Sequence, residues 1–428
     1  MKVLVVGGGS GGHITPAVAT VREVLKLSPR AKIEFWTDRK YYRNVVKLTT
    51  LGEAADEFHG EVGRAGVGKQ RIQRVKVRKV LAGKFRRYAG WELKDYFEHF
   101  SLTVKDLILG NILGFLGFLG GLGQSFFRLI KDRPDVIFLK GGIVGLPVGL
   151  AAKTLRIPYV VHESDTVPGL ANRILMKGAR VVAMGSSFEE EELRKKFKIR
   201  GEVEWVGTPV GEEFKKVSLS REKSLKRAFS FEPEKPLVVI TGGSQGARNL
   251  NEAVKEILPE MLKFTSVGLV AGRKHYEELV ELKKYEDWEG AKLKSNFRMW
   301  EFNSTMNELM GAADVVVSRA GATTIAELAA LEKAVILVPF ERLPGGHQVK
   351  NAEKLEKEGA VRVIYDEKLL NQPGLLLEEV RGLVRSPKKR EELAKKLGAT
   401  AKREAAKRLA EILVEVGKNR TKTELDEQ

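Results

Sequence analysis

The chain opens on an unbroken apolar run at positions 3–6, which passes at once into a glycine-rich turn, Gly7 to Gly12. An apolar run without polar alternation reads as a strand buried on both faces. Apolar residues then recur at helical spacing to about Leu27, with Pro16 placed as a first-turn proline. Further strands are predicted at 32–37, 136–139, 159–161 and 181–184, separated by helical patterns. The scheme restarts at 237–241, again followed by a glycine-rich turn and a helix, and continues with strands at 267–271, 297–300, 315–318 and 335–338. Repeated strand–helix alternation predicts parallel sheets with right-handed crossovers, so the fold class is α/β with two Rossmann-like doubly wound halves.

With 428 residues the chain is too long for a single core and suits two domains. The pattern places an N-terminal domain at 1–210, a linker at 211–226 and a C-terminal domain at 227–386. An Ala-, Leu-, Glu- and Lys-rich segment at 387–428 is expected to form closing helices and a polar tail. Hydrophobic residues make up 43% and charged residues 30%, a globular composition. The absence of cysteine excludes a disulfide framework, cysteine-held zinc and a thiol nucleophile, and suits a reducing cytoplasm.

Charge changes the picture. The net charge is +18, which calls for an anionic partner: nucleic acid, anionic lipid or a pyrophosphate substrate. Between 61 and 100, eleven Lys and Arg, among them Arg71, Arg74, Lys76 and Arg78, stand against four acids. Directly after comes an uncharged stretch, 107–127, with twelve Leu, Ile or Phe and six glycines. Its length approaches a bilayer span. A crossing there would put strands 2–6 and 136–139 of one sheet on opposite sides, so it is read as non-spanning. One reading makes it a core helix, above all at 119–130. The other gives 107–118 an exposed apolar face, with Leu109, Leu113 and Phe115 entering an anionic membrane surface beside the basic residues.

The turn 7–12 has the form Gly-x-Gly-x-x-Gly between a strand and a helix, which alone says only that an anion is welcome there. A dehydrogenase would also need an acid after the second strand, and Asp38 is available, but that reading leaves the second glycine-rich turn and His13 unexplained. In the turn 242–248, Ser244, Gln245 and backbone N–H groups are suited to line a diphosphate without a metal; tight packing is the alternative. No Asp-x-Asp pair stands in a suitable loop, so neither metal nor other cofactor is expected. In 318–327, Ala322, Thr323 and Thr324 would present N–H groups to a phosphate. Glu327, one turn on, would accept both hydroxyls of a ribose or merely complement the helix dipole.

Taken together, the segments GGGSGGH–TPA, HESD–PGLANR, GTPV, GGSQGARNLN, SRAGATTIAELA and HQ–KNA resemble, in order and approximate spacing, those of the MurG family of bacterial transferases. The resemblance runs from Met1 to about Arg385. It implies the GT-B fold, two Rossmann-like domains facing a cleft. It also implies inverting transfer of N-acetylglucosamine from UDP-N-acetylglucosamine to undecaprenyl-pyrophosphoryl-muramoyl-pentapeptide, at the cytoplasmic face of the cell membrane as a peripheral protein. His13 then resembles the base of the acceptor side, among Gly11, Gly12, Thr15, Glu163 and Asn172. Ser244 and Gln245 resemble the diphosphate contacts, Ala322 to Thr324 the phosphate-side helix start and Glu327 the ribose acid. Gln348 resembles a sugar-binding residue, near His347 and Asn351, and Phe302 lies near the uracil position. Three departures stand out: Asp165 where the common pattern has Asn, Gly211 where a basic residue is frequent, and a longer, more basic 61–127 region.

The helix start at His13 disfavours imidazolium, which keeps the ring able to accept a proton; capping the turn is the structural alternative. His162, Glu163 and Asp165 form the alternative base set. A nucleotide-sugar epimerase of the same fold would need no lipid surface. A nucleic-acid-binding protein is disfavoured by 7% aromatic residues and the lack of a stacking platform.

Overall fold

A computed structural model describes residues 1–50, 75–83, 108–243, 245–285, 296–343 and 345–426, without the side chains of 50 and 420–426. The chain forms two compact units: Met1–Gly211 joined by the chain from Glu404 onward, and Glu212–Arg403.

In the first unit the described strands are β1 (Lys2–Val6), β2 (Lys32–Thr37), β3 (Lys76–Lys79), β4 (Val136–Leu139), β5 (Tyr159–Glu163), β6 (Val181–Met184) and β7 (Glu202–Trp205). They form one parallel sheet in the order β3-β2-β1-β4-β5-β6-β7. Val3 and Val5 point to one face, where they pack with Ile14 of helix Gly11–Leu27 and with Leu409 and Leu413 of helix Ala405–Asp426. Leu4 and Val6 point to the other, against Leu129, Val144 and Val148. Burial on both faces is why these strands carry no polar alternation. Leu409, Ile412, Leu413 and Val416 recur at helical spacing, which fixes the buried stripe of the last helix. Burial of each such side chain contributes about 1.5–3 kcal/mol as an upper figure.

The second unit repeats the plan with β8 (Leu237–Thr241), β9 (Ser266–Val270), β10 (Phe297–Trp300), β11 (Val315–Ser318), β12 (Ala334–Leu337) and β13 (Arg362–Val363). The order is β10-β9-β8-β11-β12-β13, again parallel. Each sheet reverses its strand order once, between β1 and β4 and between β8 and β11. Ligands of open α/β sheets bind outside the carboxyl ends of the strands at such a reversal.

The structure adds to the sequence-based expectation at several points. Edge strands β3, β7 and β13 were not anticipated. Lys76-Val-Arg-Lys79 and Glu202-Val-Glu-Trp205 are charged, as edges that must not pair further tend to be. The segment 211–226, expected as a linker, carries most of helix Leu219–Ala228, capped by the Ser218 hydroxyl and belonging to the second unit. The terminal helices divide: Pro387–Ala399 stays with the second unit, and Ala405–Asp426 returns to the first. Helix Gly11–Leu27 starts five residues before Pro16, which sits inside it. The early start places His13 in the first turn.

Candidate active site

At the reversal of the first sheet the turn after β1 meets the residues that follow β4. Lys140 follows that strand, and Gly141 and Gly142 come next with φ of 96° and 78°. A Cβ on Gly142 would stand 2.6 Å from the Gly8 carbonyl and 2.8 Å from Nδ1 of His13. Only glycine allows that approach. His13 Nδ1 is buried. Burial lowers the ring to about 4, and the Lys140 charge adds to this. The Gly141 backbone and the Asp165 charge oppose it. At neutral pH the ring is uncharged and able to take a proton. A Cβ on Gly11 would meet nothing within 4 Å, so there is open space at this helix start. Gly12 is the next residue, and Thr15 is exposed, its hydroxyl turned back to the Gly11 carbonyl at 3.4 Å.

The other expected acceptor-side residues divide in two. Glu163 is buried at the end of β5 and fully engaged: Oε1 accepts from the Asp165 amide at 3.0 Å, and Oε2 from the Gly169 amide and Asn172 Nδ2, both at 2.9 Å. Burial and the Asp165 charge raise its carboxyl against those bonds. Asn172 also donates to the His162 carbonyl at 3.2 Å. Glu163 and Asn172 thus brace the loop 164–169 from inside the fold, whereas Asp165 is half-buried on it. His162, weighed as part of an alternative base set, is fully buried with Nε2 against the Gly207 carbonyl at 2.8 Å. Burial first and then the Lys140 charge push it well below its ordinary value.

Sequence reasoning missed Lys140. Its side chain is 3% exposed, and Nζ donates to Ser164 Oγ at 2.7 Å. Burial lowers the ammonium to about 8, while Glu163 and Asp165 pull the other way. The available signal was a lysine at the end of a buried strand, just before two glycines.

In the second unit the glycine-rich turn after β8 closes with a Gly246 amide to Gly243 carbonyl bond of 2.9 Å. Gly272 comes so near that a Cβ would lie 2.2 Å from Gly246 Cα. Gln245 is half-buried in this turn; Ser244 lies outside the described residues. Helix Arg248–Leu262 follows, and after β11 helix Ala322–Leu331 begins. Neither first turn holds an acid, and neither N-cap, Ala247 or Gly321, supplies a side-chain bond, so both helix starts suit an anion. Ala322, Thr323 and Thr324 form the first turn of the second.

Glu327 sits one turn further along, half-buried. Burial raises its carboxyl to about 8, and the charge of Glu213 adds to that. At neutral pH it is mostly the neutral acid, unlike the carboxylate the sequence suggested. Gln348 Oε1 accepts from the Phe340 amide at 3.0 Å. One turn on from His347, Asn351 Nδ2 donates to the Ala320 carbonyl at 3.1 Å. Phe302 is exposed after β10, with the Arg273 guanidinium 4.8 Å from its ring centroid. The loops are latched to one another. Arg319 pairs with Asp366 and donates to the Val338 carbonyl at 3.1 Å, and Asn249 Nδ2 donates to Asp366 Oδ2 at 2.6 Å. Such latching fixes the geometry before a ligand arrives.

The apolar stretch forms one helix, Gly110–Lys131, the one described helix long and apolar enough to span a membrane. It does not run away from the unit: Gly83 and Leu81 pack backbone to backbone on Gly114 and Gly121, and Leu81 N donates to Gln124 at 3.0 Å. The strands on either side of it, β3 and β4, lie in the same sheet. Its other face exposes Leu109, Ile112, Leu113, Phe115 and Leu116, with Leu113 at 68%. The exposed stripe continues to Phe127 and Ile130, while the opposite face of the C-terminal half, with Leu122, Phe126 and Leu129, packs into the core of the first sheet as expected there. Arg71 and Arg74 lie outside the described residues. Arg78 is spoken for within the fold, held by Glu34 at 2.5 Å and Asp132 at 2.9 Å.

Two parallel doubly wound units in one chain, each with a glycine-rich turn after its first strand, make up the GT-B architecture. Comparison with known proteins narrows this. Residues 3–184 match the glycosyltransferase family 28 N-terminal domain, and 237–409 the glycosyltransferase family 28 C-terminal domain. The chain therefore belongs to glycosyltransferase family 28 and is a glycosyltransferase. It is 31% identical over 424 residues to the UDP-N-acetylglucosamine--N-acetylmuramyl-(pentapeptide) pyrophosphoryl-undecaprenol N-acetylglucosamine transferase of Acetivibrio thermocellus, covering 98% of this chain and 99% of that one. A Bacillus cereus protein of the same name, numbered 2, is 31% identical over 86% of this chain and 87% of its own. Among solved structures, Acinetobacter baumannii MurG superposes with a TM-score of 0.64 at 20% identity over 97% of this chain and 99% of that one. The UDP-GlcNAc 2-epimerase of Neisseria meningitidis gives 0.60 at 15%, over 97% of this chain and 100% of that one. Both share the fold; family 28 membership separates the transferase from the epimerase reading.

Proposed function

We propose that this chain transfers N-acetylglucosamine from UDP-N-acetylglucosamine to undecaprenyl-pyrophosphoryl-muramoyl-pentapeptide, acting at the cytoplasmic, anionic face of the cell membrane. The observation that carries this is the match along 98% of the chain to a transferase named for that donor and acceptor. The reaction is a displacement at the anomeric carbon. His13, neutral and beside open space, takes the proton of the acceptor hydroxyl as its oxygen attacks. The bond to UDP breaks with inversion, and the electron pair leaves on the diphosphate. N–H groups at the starts of helices Arg248–Leu262 and Ala322–Leu331 stabilise that developing charge. Gln245 supports the diphosphate, Glu327 the ribose, Gln348 the sugar and Phe302 the base side. Asp165, Gly11, Gly12 and Thr15 line the acceptor side.

The exposed face of helix Gly110–Lys131 supports residence at a lipid surface, where the acceptor's isoprenoid anchor is held. Apolar insertion and basic attraction act together there, as reversible anchoring requires. Incubation with UDP-N-acetylglucosamine and a lipid-linked muramoyl acceptor, scored for UDP release and product mass, tests the activity. Absence of transfer by folded protein, or turnover of the sugar nucleotide alone to its epimer, would overturn it.

A further inference from the structure

The helix that follows β13, Asp366–Asn371, opens on a carboxylate that no motif marks and that the reaction as described does not use. Asp366 is 1% exposed, and Ile364 and Leu369 on either side of it are buried in the core of the second unit. Its Oδ2 accepts from Asn249 Nδ2 at 2.6 Å, and its Oδ1 meets Arg319 Nη1 at 2.5 Å as an ion pair. Asn249 lies in the first turn of helix Arg248–Leu262, just after the glycine-rich turn. Arg319 follows β11, shortly before Gly321, the N-cap of helix Ala322–Leu331. One buried carboxylate thus joins the two helix starts that suit an anion. We infer that Asp366 is a positioning residue for the sugar-nucleotide donor, fixing those two helix starts at one spacing. The inference rests on the reading of the helix starts as the diphosphate site.

Charge and stability alone would not place a carboxylate here. An anion near a diphosphate site repels the ligand, and a buried ion pair is seldom more stabilising than apolar side chains in its place. A first-turn acid complements the dipole of its own helix, yet an exposed side chain would do that as well. What the buried pair supplies is direction. Arg319 is 13% exposed and held from three sides: by Asp366, by the Val338 carbonyl at 3.1 Å, and by the Phe340 ring, whose centroid lies 5.4 Å from the guanidinium carbon. Phe340 in turn gives its amide to Gln348 Oε1 at 3.0 Å. In the same helix as Gln348, Asn351 Nδ2 donates to the Ala320 carbonyl beside Arg319 at 3.1 Å. Glu367, the next residue after Asp366, holds Arg342 of the loop after β12 at 3.0 Å. The loops after β8, β11 and β12 therefore meet at the start of one helix. Arg319 neutralises Asp366, so the diphosphate is left to the helix N–H groups, which share a target only while their spacing is kept.

Calorimetry of UDP and of UDP-N-acetylglucosamine binding to the full chain, well below its melting temperature and with thermal stability measured alongside, tests this. Asp366→Ala removes the bridge and should weaken both ligands about tenfold. Asp366→Asn keeps the shape, and its amide can still join Asn249 to Arg319 once the two amides turn, so it should stay within about threefold of the parent. Asn249→Ala cuts only the tie to the first helix and should weaken binding about threefold; added to Asp366→Ala it should do little more, the non-additivity of groups in one network. In turnover, KM for the donor should rise in Asp366→Ala while KM for the lipid-linked acceptor stays at the parent value. The sign separates geometry from charge, because loss of a nearby anion by itself tightens the binding of a diphosphate. Unchanged or tighter binding by Asp366→Ala overturns the inference. So does an Asp366→Asn variant as weak as Asp366→Ala, which would make the charge and not the bridge responsible. Lower thermal stability with both dissociation constants unmoved overturns it too, as the mark of a packing role. Should Asp366→Ala fail to fold, Asn249→Ala decides by the same readings, and parent-like affinity there sinks the inference. A parent chain that binds neither ligand would remove the donor-site reading and this inference with it, whereas binding by the parent with unmoved variants sinks the inference alone.

Discussion

Glu327 offers the sharpest quantitative test of the donor side. Burial, with the Glu213 charge, disfavours the charged form of its carboxyl and raises it to about 8. If the ribose hydroxyls are bound by the carboxylate, donor binding must first remove a proton whenever the pH lies below 8. That removal costs about 1.4 kcal/mol at pH 7 and about 2.7 at pH 6. Affinity for UDP-N-acetylglucosamine should rise roughly tenfold per unit from pH 6 to 8 and level off above. The sugar nucleotide is the proper probe, since its esterified diphosphate has no proton to lose in this range. Glu327→Gln removes the titration and one acceptor oxygen. At pH 8.5 it should cost about 1–3 kcal/mol of binding, and the two curves should converge toward pH 6. Calorimetry across that range, in buffers of differing ionisation enthalpy, measures both affinity and the released proton. A flat parent curve, or parallel curves for parent and variant, would refute the reasoning. Stability supplies a check on the sign. The folded-state value is raised, so the carboxyl's contribution to folding is complete below about 4.5 and is lost as pH rises through about 8. The glutamine variant should therefore match the parent at low pH only if its amide packs as the neutral acid does, and should gain relative stability above pH 8.

His13→Ala should lower turnover by about 10²–10⁴ with donor affinity intact, read by steady-state kinetics beside donor calorimetry. In the parent, activity that depends on the neutral ring should persist down the acid range and fall as pH drops through about 4, where the ring charges. Leu113→Ser with Phe115→Ser should weaken co-sedimentation with anionic vesicles while retaining salt dependence, because buried apolar area contributes separately from attraction screened over about 8 Å. Equal binding of parent and variant to anionic and neutral vesicles would remove the membrane reading. Arg78→Glu should lower stability by about 1–3 kcal/mol in chemical denaturation, since it leaves Glu34 and Asp132 without their guanidinium.

What the sequence made legible follows from where physics acts locally. Strands such as β1, β4, β8 and β11 are buried on both faces, so their apolar runs announce them without tertiary context. The edge strands β3, β7 and β13 pair on one side only and carry charge, so their patterns look like loops. The return of the last helix to the first unit is a long-range packing event between Leu409 or Leu413 and the face of β1, and no local signal encodes it. Arg78 shows the same limit in electrostatics. In sequence it is one cation of a basic run, whereas in the fold it bridges Glu34 and Asp132, residues 44 positions behind and 54 ahead.

The site was legible to a similar depth. Glycine-rich turns after β1 and β8 could be placed because a strand must hand over to a helix N-terminus there, and His13 and Gln245 come with those turns, while Glu327 comes with the helix start after β11. What each side chain does depends on burial and on neighbours brought from other strands, which spacing cannot show. Glu163 was grouped with the acceptor residues, yet three hydrogen bonds hold it inside the loop it supports. Glu327 was placed on the helix, but its carboxyl is shifted upward by desolvation and by Glu213 from the start of the unit, which spacing does not reveal. Lys140 had no motif at all. The two units share one strand-order plan. In the second, helix N-termini beside β8 and β11 suit a fixed negative charge. In the first, burial keeps the His13 ring uncharged at neutral pH.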